Sequence, residues 1–191
     1  DNYLFPAWGT TDEPNWPAID ATVARVAEVH KRLAARGIAL VAPVLPSKKL
    51  FYADKLPAVD ALTPEMLGRY AGIRDRLAAA GVPGFDVERL YRALQANGEP
   101  VYYRTDQHWT QSAADATAQA TADLIHQLVP KLAGAAGTGL ALGAISKERR
   151  YGDLAERFLS PEQRRSAGRE IFTVRRQTQT TGLLDAAIAP V

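Results

Sequence analysis

A chain of 191 residues that is 47% hydrophobic and 23% charged can close one sizeable core, and this ordinary globular composition argues against a disordered chain. Its 23 basic and 21 acidic residues leave a net charge of +2 spread along the chain, which is no nucleic-acid footprint; the runs KERR at 147–150 and RR at 164–165 and 175–176 read as solvated faces. With no cysteine there is no disulfide, thiolate zinc site or Cys nucleophile, and no apolar run approaches the ~18–20 residues that span a bilayer.

The opening DNYLFPAWGTTDEPNWP, rich in Pro, Trp and Asp/Asn, predicts an irregular lead-in that packs aromatic rings. It begins at Asp1 without a methionine, as an excised piece of a longer protein does, which leaves room for a signal peptide or anchor in the parent chain. Ile19, Val23, Val26, Val29 and Leu33 recur at helical spacing, basic residues gather at Lys31, Arg32 and Arg36, and Gly37 stops the helix. The apolar stretch IALVAPVLP, residues 38 to 46, is too short for another helix and predicts a buried strand. Helix, glycine, then apolar strand is the rhythm of a parallel α/β sheet.

Thr63 and Pro64 open the next helix as N-cap and first helical residue, and Gly81 ends it. After VPGFD a second amphipathic helix, VERLYRALQ, closes at Asn97 and Gly98. PVYYRTDQHWT leads into a helix from about Gln111 to Leu128, capped by Thr110 or Ser112, with Pro130 beyond it. The tail predicts a loop or weak strand in AGAAGTGLALG, a short helix in YGDLAERFL, a turn in SPEQRR and a strand in EIFTVRR. TGLLDAAIAPV then rises in hydrophobicity where a further strand would start. No repeat and no linker divides the sequence, so residues 1–191 read as one domain.

Of three histidines, His30 and His126 lie within helices and have no carboxylate at a telling spacing, whereas His108 follows Asp106 by two residues. In an extended segment such residues share a side, so the carboxylate can meet the imidazole Nδ1. There it sets the tautomer, orients the ring and leaves Nε2 to accept a proton from a nucleophile. The neighbours Tyr102, Tyr103, Arg104 and Trp109 offer aromatic platforms and a cation for a polar substrate. No HxH, HExxH or carboxylate cluster supports a metal site, and no glycine-rich phosphate loop is present. Ser47, Ser112, Ser146, Ser160 and Ser166 all read as caps or turn residues, although Ser47 stands at the end of the predicted strand 38–46.

The sequential order YLFP, VLPSKKLFYADKLP, YYRTDQHWT and YGDL resembles the alginate O-acetyltransferase group, the AlgJ/AlgX family. Only DQHW and the PSKK…Y…LP stretch carry specificity, while the likeness in order spans nearly the whole chain. The resemblance implies an SGNH hydrolase-like domain: α/β, a three-layer α/β/α sandwich with a mostly parallel sheet, here cut short at its C-terminal end. It implies acetyl transfer to an exported polysaccharide through a Ser–His–Asp mechanism, with Asp106 and His108 as the pair and Trp109 matching the residue after it. In that family the serine follows a late apolar strand; this chain stops at DAAIAPV, so the nucleophile is expected beyond Val191 and the chain alone is expected to be inactive.

Lys48, Tyr103, Arg104 and Trp109 are the expected sugar contacts. No resident cofactor or metal is expected, only an acetyl donor. The expected partners are a polysaccharide and other exopolysaccharide-synthesis proteins, with neither nucleic acid nor membrane contact in this segment, and the location implied by the family is the periplasm. Two rival readings remain: a catalytically degenerate SGNH-like module that binds glycan, and a plain α/β interaction domain in which DQHW only starts a helix.

Overall fold

The computed structural model describes residues 2–6, 13–132 and 140–179. Its first helix, α1 (Trp16–Ala34), begins where the Asn15 side chain accepts the amide of Ala18, and Gly37 leaves it at φ 72°. Its apolar stripe lies on α3 (Pro64–Ala79): Val23, Leu77 and Val82 form one buried cluster, flanked by Ile19, Val26 and Ile73. Thr63 caps α3 through the amide of Met66, and Gly81, at φ 75°, turns the chain into residues 82–86.

Residues 38–46 correct the sequence reading. They lie beside residues 82–86, yet among the described residues they join no strand ladder, and Ala42 N to Pro83 O (2.8 Å) is the backbone bond that ties the two segments. Pro43 and Pro46 have no amide to give a ladder. Ile38 and Leu45 stay exposed, so the stretch is not the buried strand its composition suggested.

A short helix, α2 (Lys48–Phe51), follows, and then α4 (Val87–Ala96) and α5 (Gln111–Leu128). The main core forms where these meet. Phe51, Tyr91 and Tyr102 make an aromatic triangle with ring centroids 5.6 to 6.1 Å apart, and Tyr91 and Val87 are fully buried. Tyr3 and Phe5 of the lead-in pack on this cluster, as expected of that segment. Thr110, not Ser112, caps α5 through the amide of Ala113.

The described sheet is two-stranded and antiparallel: β1 (Leu140–Arg150) pairs with β2 (Glu170–Gln179), Arg150 opposite Glu170, with an irregularity between Leu142 and Ile145. A mostly parallel sheet is not seen among the described residues. Between the strands lie α6 (Asp153–Phe158) and α7 (Pro161–Ala167). SPEQRR is therefore no turn: Ser160 and Gln163 form a reciprocal capping box that starts α7. Most of AGAAGTGLALG and all of TGLLDAAIAPV lie outside the described residues. None of the described helices is long and apolar enough to cross a membrane.

Candidate active site

Tyr102 and Trp109 form an isolated antiparallel bridge, with Tyr103 N bonded to His108 O and Thr110 N to Val101 O. Residues 104–108 are therefore the tip of a small hairpin. Asp106 and His108 meet because of this turn and not through strand alternation. Asp106 Oδ1 accepts both the backbone amide of His108 (2.8 Å) and its Nδ1 (2.7 Å), an Asx-type turn that includes the ring. The carboxylate is buried, whereas the imidazole is 63% exposed.

Since a carboxylate only accepts, Nδ1 carries the hydrogen and Nε2 is left with its lone pair. Burial works to raise the Asp106 pKa, but hydrogen bonds from the Asp153 and His108 amides and from the His108 ring outweigh it, and the carboxyl stays below its ordinary value. An ionised acid of this kind orients its histidine and stabilises the imidazolium.

The rest of the turn is held from three directions. The Glu170 carboxylate at the start of β2 accepts the amides of Arg104 (2.8 Å) and Thr105 (2.7 Å) and the Thr105 hydroxyl. The α6 side brings Gly152 N to the Thr105 hydroxyl (3.1 Å), Asp153 N to Asp106 Oδ2 (2.9 Å), and Asp153 Oδ1 to the amide of Gln107 (2.9 Å). From below, Lys48 Nζ donates to the carbonyls of Leu4 (2.6 Å), Arg104 (2.8 Å) and Asp106 (2.9 Å). The backbone of residues 104 and 105, the Asp106 carbonyl and the Gln107 amide thus all have partners outside the hairpin, as an irregular buried backbone requires.

His108 and Asp106 border an open cleft of about 220 Å³ whose walls include Tyr103, Trp109, Gln111, Arg150 and Phe172. Tyr103 packs against Phe172 with ring centroids 4.1 Å apart and planes tilted by 34°, and donates to Thr173 O (3.0 Å), while the Arg150 guanidinium lies 3.9 Å over the Phe172 ring. Trp109 is partly exposed at the rim.

Of the four expected sugar contacts, Tyr103 and Trp109 therefore stand at the cleft. Arg104 does not: its guanidinium donates to Ala167 O (3.0 Å) and it borders a neighbouring hollow with Tyr3 and Glu170. Lys48 is also elsewhere, 4% exposed beneath the turn, with its three hydrogens committed to backbone carbonyls as a buried ammonium requires.

Asp153, Glu170 and Gly152, which bond the hairpin tip, and Arg150, which borders the cleft, are neighbours of the pair that sequence reasoning does not single out. YGDL, noticeable as a motif, holds the signal for Gly152 and Asp153; nothing local marks Glu170, which lies 64 residues beyond Asp106. Asp106, His108 and Asp153 bring potential metal-ligand atoms within 4.8 Å of one another. Both Asp106 oxygens and one Asp153 oxygen are engaged by N–H donors of the turn and of α6, so this trio serves the hairpin rather than presenting free ligands to an ion.

None of the five serines lines the cleft. Ser47 and Ser160 cap α2 and α7, and Ser146 donates to Val174 O. Ser112 borders the neighbouring hollow, and Ser166 lies in α7.

Comparison with known proteins agrees with this architecture. The chain is 32% identical over 110 residues to the alginate biosynthesis protein AlgX of Pseudomonas putida, a match covering 54% of this chain and 23% of AlgX. It is 29% identical over 129 residues to the probable alginate O-acetylase AlgJ of Pseudomonas fluorescens (64% of this chain, 32% of the relative). Against the AlgJ of Pseudomonas aeruginosa the identity is 32% over 125 residues (62% and 30%). The matches thus span about a quarter to a third of these relatives' lengths. The solved O-acetyltransferase domain of Pseudomonas putida AlgJ superposes with a TM-score of 0.76 over 94% of this chain and 64% of that one, at 22% identity, and shows the shared SGNH hydrolase-like fold. The family model for the SGNH hydrolase-like domain of acetyltransferase AlgX matches residues 1–191, and the chain belongs to that family.

Proposed function

We propose that this domain carries the acid–base half of an O-acetyltransferase that modifies an exported polysaccharide in the periplasm. The observation that carries the reading is the 2.7 Å contact between the buried Asp106 carboxylate and His108 Nδ1, which leaves Nε2 on an exposed ring at an open cleft. Support for the substrate class comes from the relatives named for alginate biosynthesis and alginate O-acetylation.

In the proposed reaction His108 Nε2 takes the proton of a serine hydroxyl as its oxygen attacks the acetyl carbonyl of a donor. The donor's leaving group departs with that proton, and an acetyl-serine ester remains. A sugar hydroxyl then gives its proton to Nε2 and attacks the ester, and the serine is regenerated when the imidazolium returns the proton. Asp106 stays ionised throughout and balances the imidazolium. An acetyl donor is consumed, and no resident cofactor is required. Trp109, Tyr103 and Arg150 are the proposed acceptor contacts, because they form the walls around His108. The serine comes from a segment outside these 191 residues, since all five in the chain stand away from the cleft.

The test is His108→Ala in the complete protein, with ester hydrolysis and acetyl transfer as readouts and circular dichroism as the check on folding. Activity falls by at least ~10²-fold if His108 is the base, and near-normal turnover would sink the assignment. The lack of a serine at the cleft favours one rival, a glycan-binding module without chemistry. A serine-reactive phosphonate separates the two: the complete enzyme is labelled covalently, and a degenerate binder is not.

A further inference from the structure

We propose that Lys48 is a positioning residue for the Asp106–His108 pair: its buried ammonium holds the hairpin tip by the carbonyl of Asp106 itself and so keeps His108 with its hydrogen on Nδ1 and Nε2 free. The importance of this for catalysis rests on the acid–base reading of His108, but its test observes the imidazole directly.

Three carbonyls converge on Lys48 Nζ, from Leu4, Arg104 and Asp106, at 2.6 to 2.9 Å. Only an ammonium supplies three N–H donors from one atom, so the arrangement is specific to protonated lysine. One acceptor belongs to the residue whose side chain holds the imidazole; a second belongs to the other side of the same tip. Rotation of the Asp106 peptide would break the bond to Lys48 and carry the carboxylate away from Nδ1. The rings of Tyr3 and Phe5, with centroids 5.7 and 5.2 Å from Nζ, close the site.

The sequence around Lys48 is built to the same end. Tyr102, at the base of the hairpin, donates its hydroxyl hydrogen to Pro46 O just before α2. Tyr52, just after α2, accepts the amide of Val101 (3.2 Å) on the same strand. The PSKKLFY motif thus grips the hairpin at its base on both sides of Lys48 and at its tip through Lys48. This gives the second specific motif of the chain a purpose that an acceptor-binding role for Lys48 does not.

The charged groups facing Nζ are the carboxylates of Glu170, Asp106 and Asp153, which favour the ammonium, and Arg104, which opposes it. Burial is the largest influence and brings the Lys48 pKa down to about 8. The groups facing the His108 ring are Asp106 and Asp153, with Tyr103 and Arg150 on the cleft wall. The clasp is therefore titratable within a range where the folded protein can be followed.

The experiment is nitrogen NMR of ¹⁵N-histidine-labelled protein, in which His30 and His126 are internal references. In the wild type His108 is held as the single Nδ1–H tautomer. In Lys48→Met, with the reference signals and the circular dichroism unchanged, its two nitrogen shifts move toward each other as the tautomers mix. A folded Lys48→Met whose His108 shifts equal the wild type's overturns the proposal. Should that variant fail to fold, the wild type decides: the His108 nitrogens show a separate inflection as Lys48 deprotonates near pH 8. A flat response through that step overturns it equally. A well-held His108 in a complete protein that transfers no acetyl group would sink the acyl-transfer reading and leave this one standing.

Discussion

A Cβ on Gly152 would lie 2.6 Å from the amide nitrogen of Asp106 and closer still to the carbonyl carbon and oxygen of Thr105. Gly152 has an ordinary φ of −75°, so the position needs glycine for space and not for backbone freedom. The lead into α6 is packed on the hairpin tip, backbone against backbone, at the residue that holds His108. This contact lets Gly152 N and Asp153 N reach the Thr105 hydroxyl and the Asp106 carboxylate.

Gly152→Ala consequently destabilises the fold by about 1–3 kcal/mol, the usual cost of overpacking where the neighbours are backbone and cannot turn aside. Gly68→Ala is the control. Gly68 lies within α3 with nothing within 4 Å of the added atom, and the substitution should stabilise by up to about 1 kcal/mol through helix propensity. Urea titration of the two variants gives opposite signs if the packing is as described.

Glu170 tests the opposite side of the tip. Its two oxygens accept the amides of Arg104 and Thr105, and Thr105 is fully buried. Glu170→Gln keeps the shape but offers one acceptor oxygen in place of two, leaving an amide without its partner at a cost of about 1–3 kcal/mol. Glu170→Ala should cost more, and both should broaden the His108 nitrogen signals. Loss of stability with the His108 signals unchanged would mean that Glu170 only fastens β2.

Acid should separate Asp106 from the other carboxylates. Its folded pKa is depressed, so its contribution is complete above the unfolded value of about 4 and is lost as pH falls through the folded value. The stability gap between wild type and Asp106→Asn is therefore expected to close as pH falls below about 4. Chemical denaturation at a series of pH values measures this, and a gap that persisted or widened below about pH 4 would contradict the depressed pKa.

How far the sequence speaks for itself depends on the range of the interaction. Local rules find the helices α1, α3, α4 and α5 and the caps Thr63 and Thr110, because each of these two side chains acts on an amide three residues away. The Asp106–His108 pair is equally local. The strand expected at 38–46 fails because apolar content says nothing of the missing amides of Pro43 and Pro46. Lys48 is misplaced for a related reason: it is expected as a sugar contact, whereas the three carbonyls that bury it come from Leu4, Arg104 and Asp106, distant in sequence. Glu170 is silent for the same cause.

Lys48 also carries a stability consequence opposite in sense to its structural one. Its pKa is about 8 in the folded chain against 10.5 for an ordinary lysine, so the unfolded chain binds the proton more tightly. Below pH 8 the folded state bears the full cost of a buried ammonium; as pH rises from about 8 to about 10.5 that cost disappears and stability should increase. A difference of about 2.5 units corresponds to about 3 kcal/mol. Tyrosines titrate in the same range, so the quantity to follow is the stability of wild type relative to Lys48→Met. That difference should grow through this window while the His108 signals report a loosening tip. The protein would then be most stable where its histidine is least well held. A wild-type advantage that shrank between pH 8 and 10.5 would show the ammonium to be a net stabiliser of the fold.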